Sequence, residues 1–344
     1  MWMRQTTALL FVLATSVVGA SAQDFQIVKV ASVAGATADQ LKTRTILFND
    51  HRVDEKTDKG AFIRFDEWAR TKPVQKQFLS LFPTFTEGTI HRTVDGVKKE
   101  VKDELQMYVT EARFKLSRPA TEVELKSFAT LSFVQSMDPQ IKHEVIKPSE
   151  ISLLKDERSV ANRHPDRAWC EGTGVAICTR STYKLEGKLP MGIALANKLR
   201  DGERKHSDTI EFESEMRLLS GAEVDEAGLK KLTGVNTPVA GVLEQNMFHI
   251  NQVMRFGKLL AVLQANPADE KTTIATVVIA LAVSSNTLDS KKKYQDVPVL
   301  RNLVPSQVLL GYSSFNTGNS ISAGLPSYVR NRIKAIAAIL DSKV

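Results

Sequence analysis

Three stretches of the chain combine side chains that could do chemistry. The first is the segment 164–171, where His164, Asp166, Arg167 and Glu171 surround a cysteine. General acid–base catalysis needs such groups within hydrogen-bond reach of one another, so this segment is a candidate catalytic site. The alternative, which we favour, is a connecting loop fixed by a disulfide and by Trp169.

The second stretch is the hydroxyl- and amide-rich segment 311–324, which directly precedes the last predicted helix. A loop that opens onto a helix N-terminus can bind an anion through free backbone N–H groups. The same residue types are standard in ordinary turns, and we keep both interpretations, an anion-binding loop and a simple connection. The candidate ligand-binding residues of this segment are Tyr312, Ser313, Ser314, Asn316 and Asn319.

The third stretch is a predicted strand in which His249, Asn251 and Arg255 share one face. If that face points into a cavity, these side chains are convergent polar groups of the kind that ligand pockets use. If it points to water, they form a solvated face, which is the commoner case for a single strand. We therefore keep them as ligand-binding candidates only.

Known catalytic and metal motifs are missing from the sequence. It contains no Gly-x-Ser-x-Gly elbow, no His-Glu-x-x-His pair and no phosphate-binding loop. Seven residues separate Cys170 from Cys178, whereas structural zinc sites usually place two residues between cysteines. We expect no metal and no cofactor, and the sequence favours a non-enzymatic protein over an enzyme.

The first 22 residues have the layout of a secretory signal peptide. Arg4 precedes an apolar run at residues 8–14, and Ala20-Ser21-Ala22 completes a cleavage site. An uncleaved anchor would need about 20 predominantly apolar residues, which is more than this run offers. We predict cleavage after Ala22 and a periplasmic or secreted protein. In that setting the two cysteines are expected to form a disulfide worth roughly 2–3 kcal/mol.

The composition is that of a globular chain with a sizeable core: 344 residues, 42% hydrophobic and 25% charged. The formal charge of +7 favours anionic partners such as lipid headgroups or acidic polysaccharide. The basic residues are scattered, however, and a solvated surface explains them more simply. An exported protein rarely meets nucleic acid, so we do not expect that partner.

The half of the chain before the polar segment 155–168 mixes helix and strand signals. Asp95-Gly96 predicts the turn of a hairpin, because glycine tolerates positive φ. Residues 97–116 fit helical and strand spacing equally well, and we leave the choice open. The segment 155–168 is the best domain boundary and divides the mature chain into a mixed α/β region 23–160 and a second region 161–344. The other predicted elements are a strand within 25–34, a short helix at 38–47, a helix within 62–85 and a helix beginning at Thr121.

The second region is predicted to consist mainly of strands and to end in a helix. In the predicted strand 209–219, apolar residues alternate with charged ones that include Glu213 and Glu215, so one face should be solvated. Residues 247–283 predict a long bent antiparallel pair with a bulge at Gly257. The remaining predictions are a strand at 175–185, a short helix at 222–232, and a final helix with Pro326 in its first turn.

The final helix carries an apolar stripe at helical spacing, formed by Val329, Ile333, Ile336 and Leu340. We expect the stripe to pack on the sheet, since that is the common role of an amphipathic helix in a globular protein. The alternative is a basic amphipathic helix lying on an anionic membrane surface, which would give peripheral membrane contact.

The predicted fold class is therefore α+β, an antiparallel sheet packed by a long C-terminal amphipathic helix and preceded by a more helical region. The element order over residues 175–344 resembles the helix-grip arrangement of START-like lipid-binding domains. The resemblance is one of element order and implies a hydrophobic cavity, but it identifies no ligand residues. We expect an exported, non-enzymatic protein that binds an apolar or amphipathic ligand or an envelope component. The alternatives are an exported hydrolase or transferase without a recognisable motif, and a structural or interaction protein of the envelope.

Overall fold

The computed structural model describes residues 25–50, 63–64, 88–94, 97–103, 105–139, 141–151, 167–184, 209–219, 221–250, 254–284 and 321–342. These residues form twelve strands and three α-helices, joined in places by short 3-10 turns. The strands are β1 Gln26–Lys29, β2 Thr45–Asn49, β3 Ile63–Arg64, β4 Gly88–Val94, β5 Val97–Asp103, β6 Leu105–Leu116, β7 Lys142–Val145, β8 Val175–Lys184, β9 Thr209–Leu219, β10 Val239–Ile250, β11 Met254–Ala265 and β12 Thr273–Ser284. The helices are α1 Leu131–Met137, α2 Glu226–Thr233 and α3 Ile321–Asp341.

Ten strands form one sheet. Nine of them follow the order β1-β2-β6-β12-β11-β10-β9-β8-β7, and β3 pairs with β6 beside this path. All its ladders are antiparallel except that of β1 with β2. The fold prediction of a mostly antiparallel sheet is confirmed. The sheet takes strands from both sides of segment 155–168, most of which lies outside the described residues, and the proposed division at that segment stays a prediction.

The centre of the sheet is apolar on both faces because both faces are covered. Residues 259–263 of β11 are all buried, as their unbroken apolar sequence predicts. On one face the sheet packs against α1 and α3 in a large apolar cluster. On the other face Leu229 of α2 joins a second cluster with residues of β6, β10, β11 and β12.

Helix α3 buries its apolar stripe against the sheet, which confirms the packing prediction. Val329, Ile333 and Ile336 are fully buried, and Leu340 is nearly so. The helix begins at Ile321 rather than near Pro326, so the expectation of proline in its first turn is wrong. Among the described helices, none combines the length and the apolar character needed to cross a membrane.

Helix α2 overlaps the predicted segment 222–232 but starts later, at Glu226, after a 3-10 turn, and ends at Thr233. Its N-cap is Asp225, whose Oδ1 accepts a hydrogen bond of 3.0 Å from the backbone of Gly228. Gly234 ends the helix with φ of 68°, the left-handed conformation that favours glycine.

Two helix predictions in the first half are wrong. The predicted helix at 38–47 is a 3-10 turn of three residues followed by β2, whose Thr-Ile-Leu-Phe segment is fully buried in the sheet. The predicted helix start at Thr121 gives only short 3-10 turns that bury Val123 and Phe128. The α-helix starts later, where Thr130 Oγ1 accepts a hydrogen bond of 3.2 Å from the backbone of Phe133.

The hairpin predicted at Asp95-Gly96 is confirmed, since β4 and β5 pair with Val94 opposite Val97. Residues 97–116, which fitted both patterns, are strands β5 and β6 with one residue between them. Of the predicted helix within 62–85, only Ile63–Arg64 is described, and it is strand β3; the rest lies outside the described residues.

The chain reverses between β10 and β11, where the sequence predicts one continuous strand. Met247 pairs with Gly257 across the two antiparallel strands. The ladder register shifts next to Gly257, between Met254 and Phe256, but the glycine has no positive φ. Glycine allows the backbone of β11 to lie close to Met247, because a Cβ at this position would lie 2.6 Å from the Sδ of Met247.

Candidate functional site

The predicted ligand residues of the third stretch do not share a strand. His249 lies in β10 and Arg255 in β11, so the single strand face that would have joined them with Asn251 is not formed. Several other candidates lie outside the described residues: Asn251, Tyr312, Ser313, Ser314, Asn316, Asn319, His164 and Asp166. The structure therefore leaves those candidates as predictions.

The predicted disulfide between Cys170 and Cys178 is present, with 5.8 Å between the two Cα atoms. The connecting loop turns through Gly172 and Gly174, both at positive φ. Trp169 is buried and stacks on Phe248 with 4.8 Å between ring centroids. The disulfide and this ring contact fix residues 169–178 against the sheet face opposite α3.

Two acidic side chains that the alternation in β9 places in water are buried. Glu213 and Glu215 are 1% and 0% exposed, so the prediction of a solvated face is wrong at these two positions, whereas Glu211 on the same face is exposed. The Glu215 carboxylate accepts hydrogen bonds from both terminal guanidinium nitrogens of Arg167. It also accepts bonds of 2.9 Å from the backbone N–H of Cys170 and 3.0 Å from Nδ2 of Asn246.

The neighbouring strands add a second buried ion pair. Lys258 Nζ lies 2.8 Å from Glu244 Oε1, which also accepts a bond of 2.6 Å from Asn246. Burial lowers the pKa of Lys258 although Glu244 opposes the change. Burial would raise the pKa of Glu244, but the charge of Lys258 and the hydrogen bonds bring it below its usual value.

We call Arg167, Glu215, Asn246, Glu244 and Lys258 the Glu215 cluster. Its two cations balance its two carboxylates, and Asn246 bonds to both acids. A charged group that has its partner in the protein is poorly suited to recognise a ligand. The cluster therefore serves to join β9, β10, β11 and the disulfide loop.

A different polar cluster lies on the opposite face, between α3 and the sheet. Arg332 of α3 is 2% exposed and lies 2.7 Å from Asp138, the residue that ends α1. Its Nη1 donates a hydrogen bond of 2.7 Å to the hydroxyl of Tyr328, and its Nη2 donates to Oε1 of Gln245 on β10. The guanidinium thereby links both helices to the sheet.

The polar row continues across the strands beyond Gln245. Gln245 Nε2 donates to Ser214 Oγ at 3.1 Å, and Ser214 lies 3.0 Å from the hydroxyl of Thr179. At the edge of the sheet, His143 Nδ1 is 2.7 Å from Ser181 Oγ. We call this set the helix-facing polar cluster: Asp138, His143, Thr179, Ser181, Ser214, Gln245, Tyr328 and Arg332.

Two nitrogen atoms of this cluster, His143 Nε2 and Arg332 Nε, are buried and make no well-formed hydrogen bond to a described residue. Burial lowers the pKa of His143, while the charge and the backbone carbonyl of Asp138 partly oppose this change. Burial also raises the pKa of Tyr328, so the phenol is neutral. Arg332 keeps its charge, because Asp138 and Tyr328 offset the effect of burial on its pKa.

The sequence carried a signal for part of this cluster. Ser214 lies on the apolar face of β9, and Arg332 lies three residues after Val329 and four before Ile336, within the apolar stripe of α3. A polar residue at a position that the pattern assigns to the core needs a buried partner. No such signal connects His143 with Ser181, because β7 shows its residues Lys142, Glu144 and Val145 to solvent.

Metal binding has no support in the described part of the chain, where no three His, Cys, Asp or Glu side chains are grouped to hold an ion. The helix-facing polar cluster offers hydrogen bonding instead. Its two formal charges, those of Arg332 and Asp138, compensate each other.

No protein-family model matches the chain, and no curated protein matches it in sequence. Among solved structures, it is similar to the ZhuI aromatase/cyclase from Streptomyces sp. R1128, with 12% identity over 68% of this chain and 92% of that chain and a TM-score of 0.32. It is also similar to norcoclaurine synthase from Thalictrum flavum in complex with dopamine and hydroxybenzaldehyde, with 10% identity over 69% and 89% and a TM-score of 0.28. Agreement at this level carries no argument about fold or function.

Proposed function

We propose that the protein binds an apolar or amphipathic ligand between α3 and the sheet, without catalysing a reaction, and places the polar group of the ligand at the helix-facing polar cluster. One observation carries this proposal: polar side chains from α1, α3 and four strands converge inside an apolar core, and His143 Nε2 among them makes no well-formed hydrogen bond to a described residue.

The energetics favour a binding role for these atoms. An apolar environment penalises a polar group that lacks a hydrogen bond by roughly 1–3 kcal/mol, and buried nitrogen atoms are therefore usually satisfied. Apolar walls with a few convergent polar groups are also the usual lining of small-molecule sites. A bound polar group that completes the hydrogen bonding of His143 would remove the penalty.

We further infer that α3 and the antiparallel sheet form a helix-grip arrangement of the START-like type. The support is the position of α3, which packs its apolar stripe across the sheet at the end of the chain. In such an arrangement the space between helix and sheet is where a ligand is enclosed.

A second candidate function rests on the hydrogen bond between His143 and Ser181. A nucleophile and its base lie at this distance in hydrolases that use serine. Two observations weigh against it here: Ser181 is fully buried, and the carboxylate of Asp138 is paired with Arg332. We therefore keep ligand binding as the main proposal.

Export remains part of the proposal. The signal-peptide layout of residues 1–22 supports it, and a disulfide fits an oxidising compartment. Intact-mass analysis of the protein from the periplasmic fraction should give a chain that begins at Gln23. Recovery of the full-length chain from the cytosol would contradict export and leave the ligand proposal untouched.

Binding is tested by titrating the purified protein with dodecyl-chain amphiphiles below their micellar concentration and counting bound molecules by native mass spectrometry. We expect one ligand per chain for the wild type and weaker binding for the Ser181→Val variant, with Lys142→Met as the matched control on the exposed side of β7. If no dodecyl amphiphile binds, the proposed function is wrong.

A further inference from the structure

This inference rests on the proposed function and names the class of ligand. We propose that the ligand carries an uncharged hydroxyl at its polar end, as a long-chain alcohol does, rather than a carboxylate or a phosphate.

The charge balance of the helix-facing polar cluster carries the first step. The charges that act on His143 are those of Asp138 and Arg332, which form an ion pair at 2.7 Å, so the formal charges of the cluster sum to zero. A carboxylate or phosphate brought to the cluster would leave one uncompensated negative charge in an apolar core. Burying an ion without a partner is far costlier than burying a neutral group that makes a hydrogen bond.

The hydrogen bonds of Arg332 carry the second step. Its two terminal nitrogens contact Asp138, Tyr328 and Gln245, which takes up three of its five N–H groups, and its positive charge is already paired with the carboxylate of Asp138. Nε makes no hydrogen bond to a described residue, and its N–H group can bond to a neutral oxygen without a second negative charge.

The ring of His143 carries the third step. Nδ1 bonds to Ser181, and depending on the tautomer Nε2 is then either a donor or an acceptor. A hydroxyl can donate and accept, so it matches Nε2 in either tautomer. A carboxylate can only accept, so it matches only the forms in which Nε2 carries a proton, and burial disfavours the charged ring that would attract an anion.

The experiment compares 1-dodecanol with dodecanoate at pH 7.5, by displacement of a fluorescent apolar probe and by native mass spectrometry. We expect the alcohol to bind at least tenfold more tightly than the acid, because only the acid must give up the hydration of an ion. In His143→Leu the affinity for the alcohol should fall about fivefold, the effect of one hydrogen bond. Lys142→Met on the same strand should bind both compounds as the wild type does.

Each outcome has a separate meaning. If neither compound binds, the proposed function itself fails. If dodecanoate binds as tightly as the alcohol, the ligand is not limited to uncharged groups and this inference alone is overturned. If the alcohol binds His143→Leu and the milder His143→Gln as it binds the wild type, the hydroxyl does not lie at His143. Thermal unfolding of both variants identifies any that has failed to fold.

Discussion

At the scale of single residues, two ion pairs of this protein show how burial changes the role of the same chemistry. Lys258–Glu244 and Lys230–Glu226 each hold Nζ and Oε1 at 2.8 Å. The first pair is almost fully buried, and the second lies on the surface of α2. Water screens the surface pair, so the pair contributes little to stability. In the buried pair each charge has lost its hydration, and the opposite charge must compensate for that loss.

We expect Lys258→Met to lower the free energy of unfolding by about 3–5 kcal/mol, because it leaves the Glu244 carboxylate buried without its cation. The double variant Lys258→Met/Glu244→Met should recover much of this loss, since it removes the uncompensated charge as well. Urea unfolding at pH 7 measures all three proteins.

The matched control is Lys230→Met, which breaks a pair of the same atoms at the same distance in water. Its urea midpoint should stay close to that of the wild type. Equal effects of the two lysine substitutions would contradict the buried role of Lys258.

His143 should make the protein less stable in mild acid. Burial holds the pKa of the folded state below its ordinary value of 6.5, so the unfolded chain takes up the proton first. Stability is then unaffected well above pH 6.5 and falls as the pH drops through 6.5 towards the lower pKa of the folded state. The groups that act on the ring are Asp138, which opposes the lowering, and Arg332, which adds to it.

The measurement is the urea midpoint between pH 7.5 and pH 5 for the wild type and for His143→Gln, which cannot be protonated. The difference between the two proteins should change over this interval in favour of the variant as the pH falls. A constant difference would mean that His143 titrates alike in the folded and unfolded chains.

The residues that the sequence misplaced share a physical cause. Alternation in β9 correctly separates two faces, but it does not show what covers the second one. Glu213 and Glu215 are buried because Arg180 and Arg167 reach them from parts of the chain more than thirty residues away in sequence. Such partners come from tertiary structure, and a local pattern contains no record of them.

At the scale of elements, the final helix was the most predictable part of the fold. Its apolar stripe has helical spacing, and the structure buries Val329, Ile333, Ile336 and Leu340 as the spacing indicates. Strand β12 was equally clear, because it is long, β-branched and apolar. Long elements with a strong period leave few alternatives.

Short elements and chain reversals were predicted less well. Phe248 and Ile250 before the reversal and Met254 and Phe256 after it keep the same alternating phase, so one strand was expected where two exist. Residues 38–47 have helical spacing over ten residues, but residues 45–47 form part of β2 because this strand pairs with β1 and β6. Weak local preference gives way to sheet hydrogen bonds and burial.

We expect Ile333→Ala in α3 to cost about 2–5 kcal/mol of stability, the usual effect of removing a large aliphatic side chain from a packed core. Asn331→Ala, two residues earlier on the exposed side, should change the urea midpoint little. If both variants unfolded at the wild-type midpoint, the stripe would not be in the core, and the alternative of a helix lying on a membrane would regain support.

At the scale of the whole molecule, the sheet separates two polar clusters of different character. The helix-facing polar cluster lies under α3, and two of its buried nitrogen atoms make no hydrogen bond to a described residue. The Oδ1 of Asn246 in the Glu215 cluster is in the same position, but both carboxylates of that cluster are paired with cations. The carboxylate of Glu215 lies on the opposite face and bonds to Arg167, to Asn246 and to the backbone of Cys170. We interpret the first cluster as the one available to a ligand and the second as the one that fixes the disulfide loop to the sheet.

The disulfide should therefore act together with Glu215. Replacing both cysteines by serine should cost about 2–3 kcal/mol, because the unfolded chain gains freedom when this short loop is no longer closed. Glu215→Gln in the oxidised protein should also cost stability, since a neutral amide cannot balance the partly buried guanidinium of Arg167.

The combination of these changes tests whether the two features are coupled. If the disulfide holds Arg167 and the Cys170 N–H on Glu215, removing the disulfide should cost less stability once the carboxylate has been replaced. The triple variant Cys170→Ser/Cys178→Ser/Glu215→Gln should then be more stable, by at least about 0.5 kcal/mol, than the sum of the separate losses allows. Strictly additive losses in urea unfolding would show that the disulfide acts on the unfolded chain alone and that Glu215 keeps its partners without it.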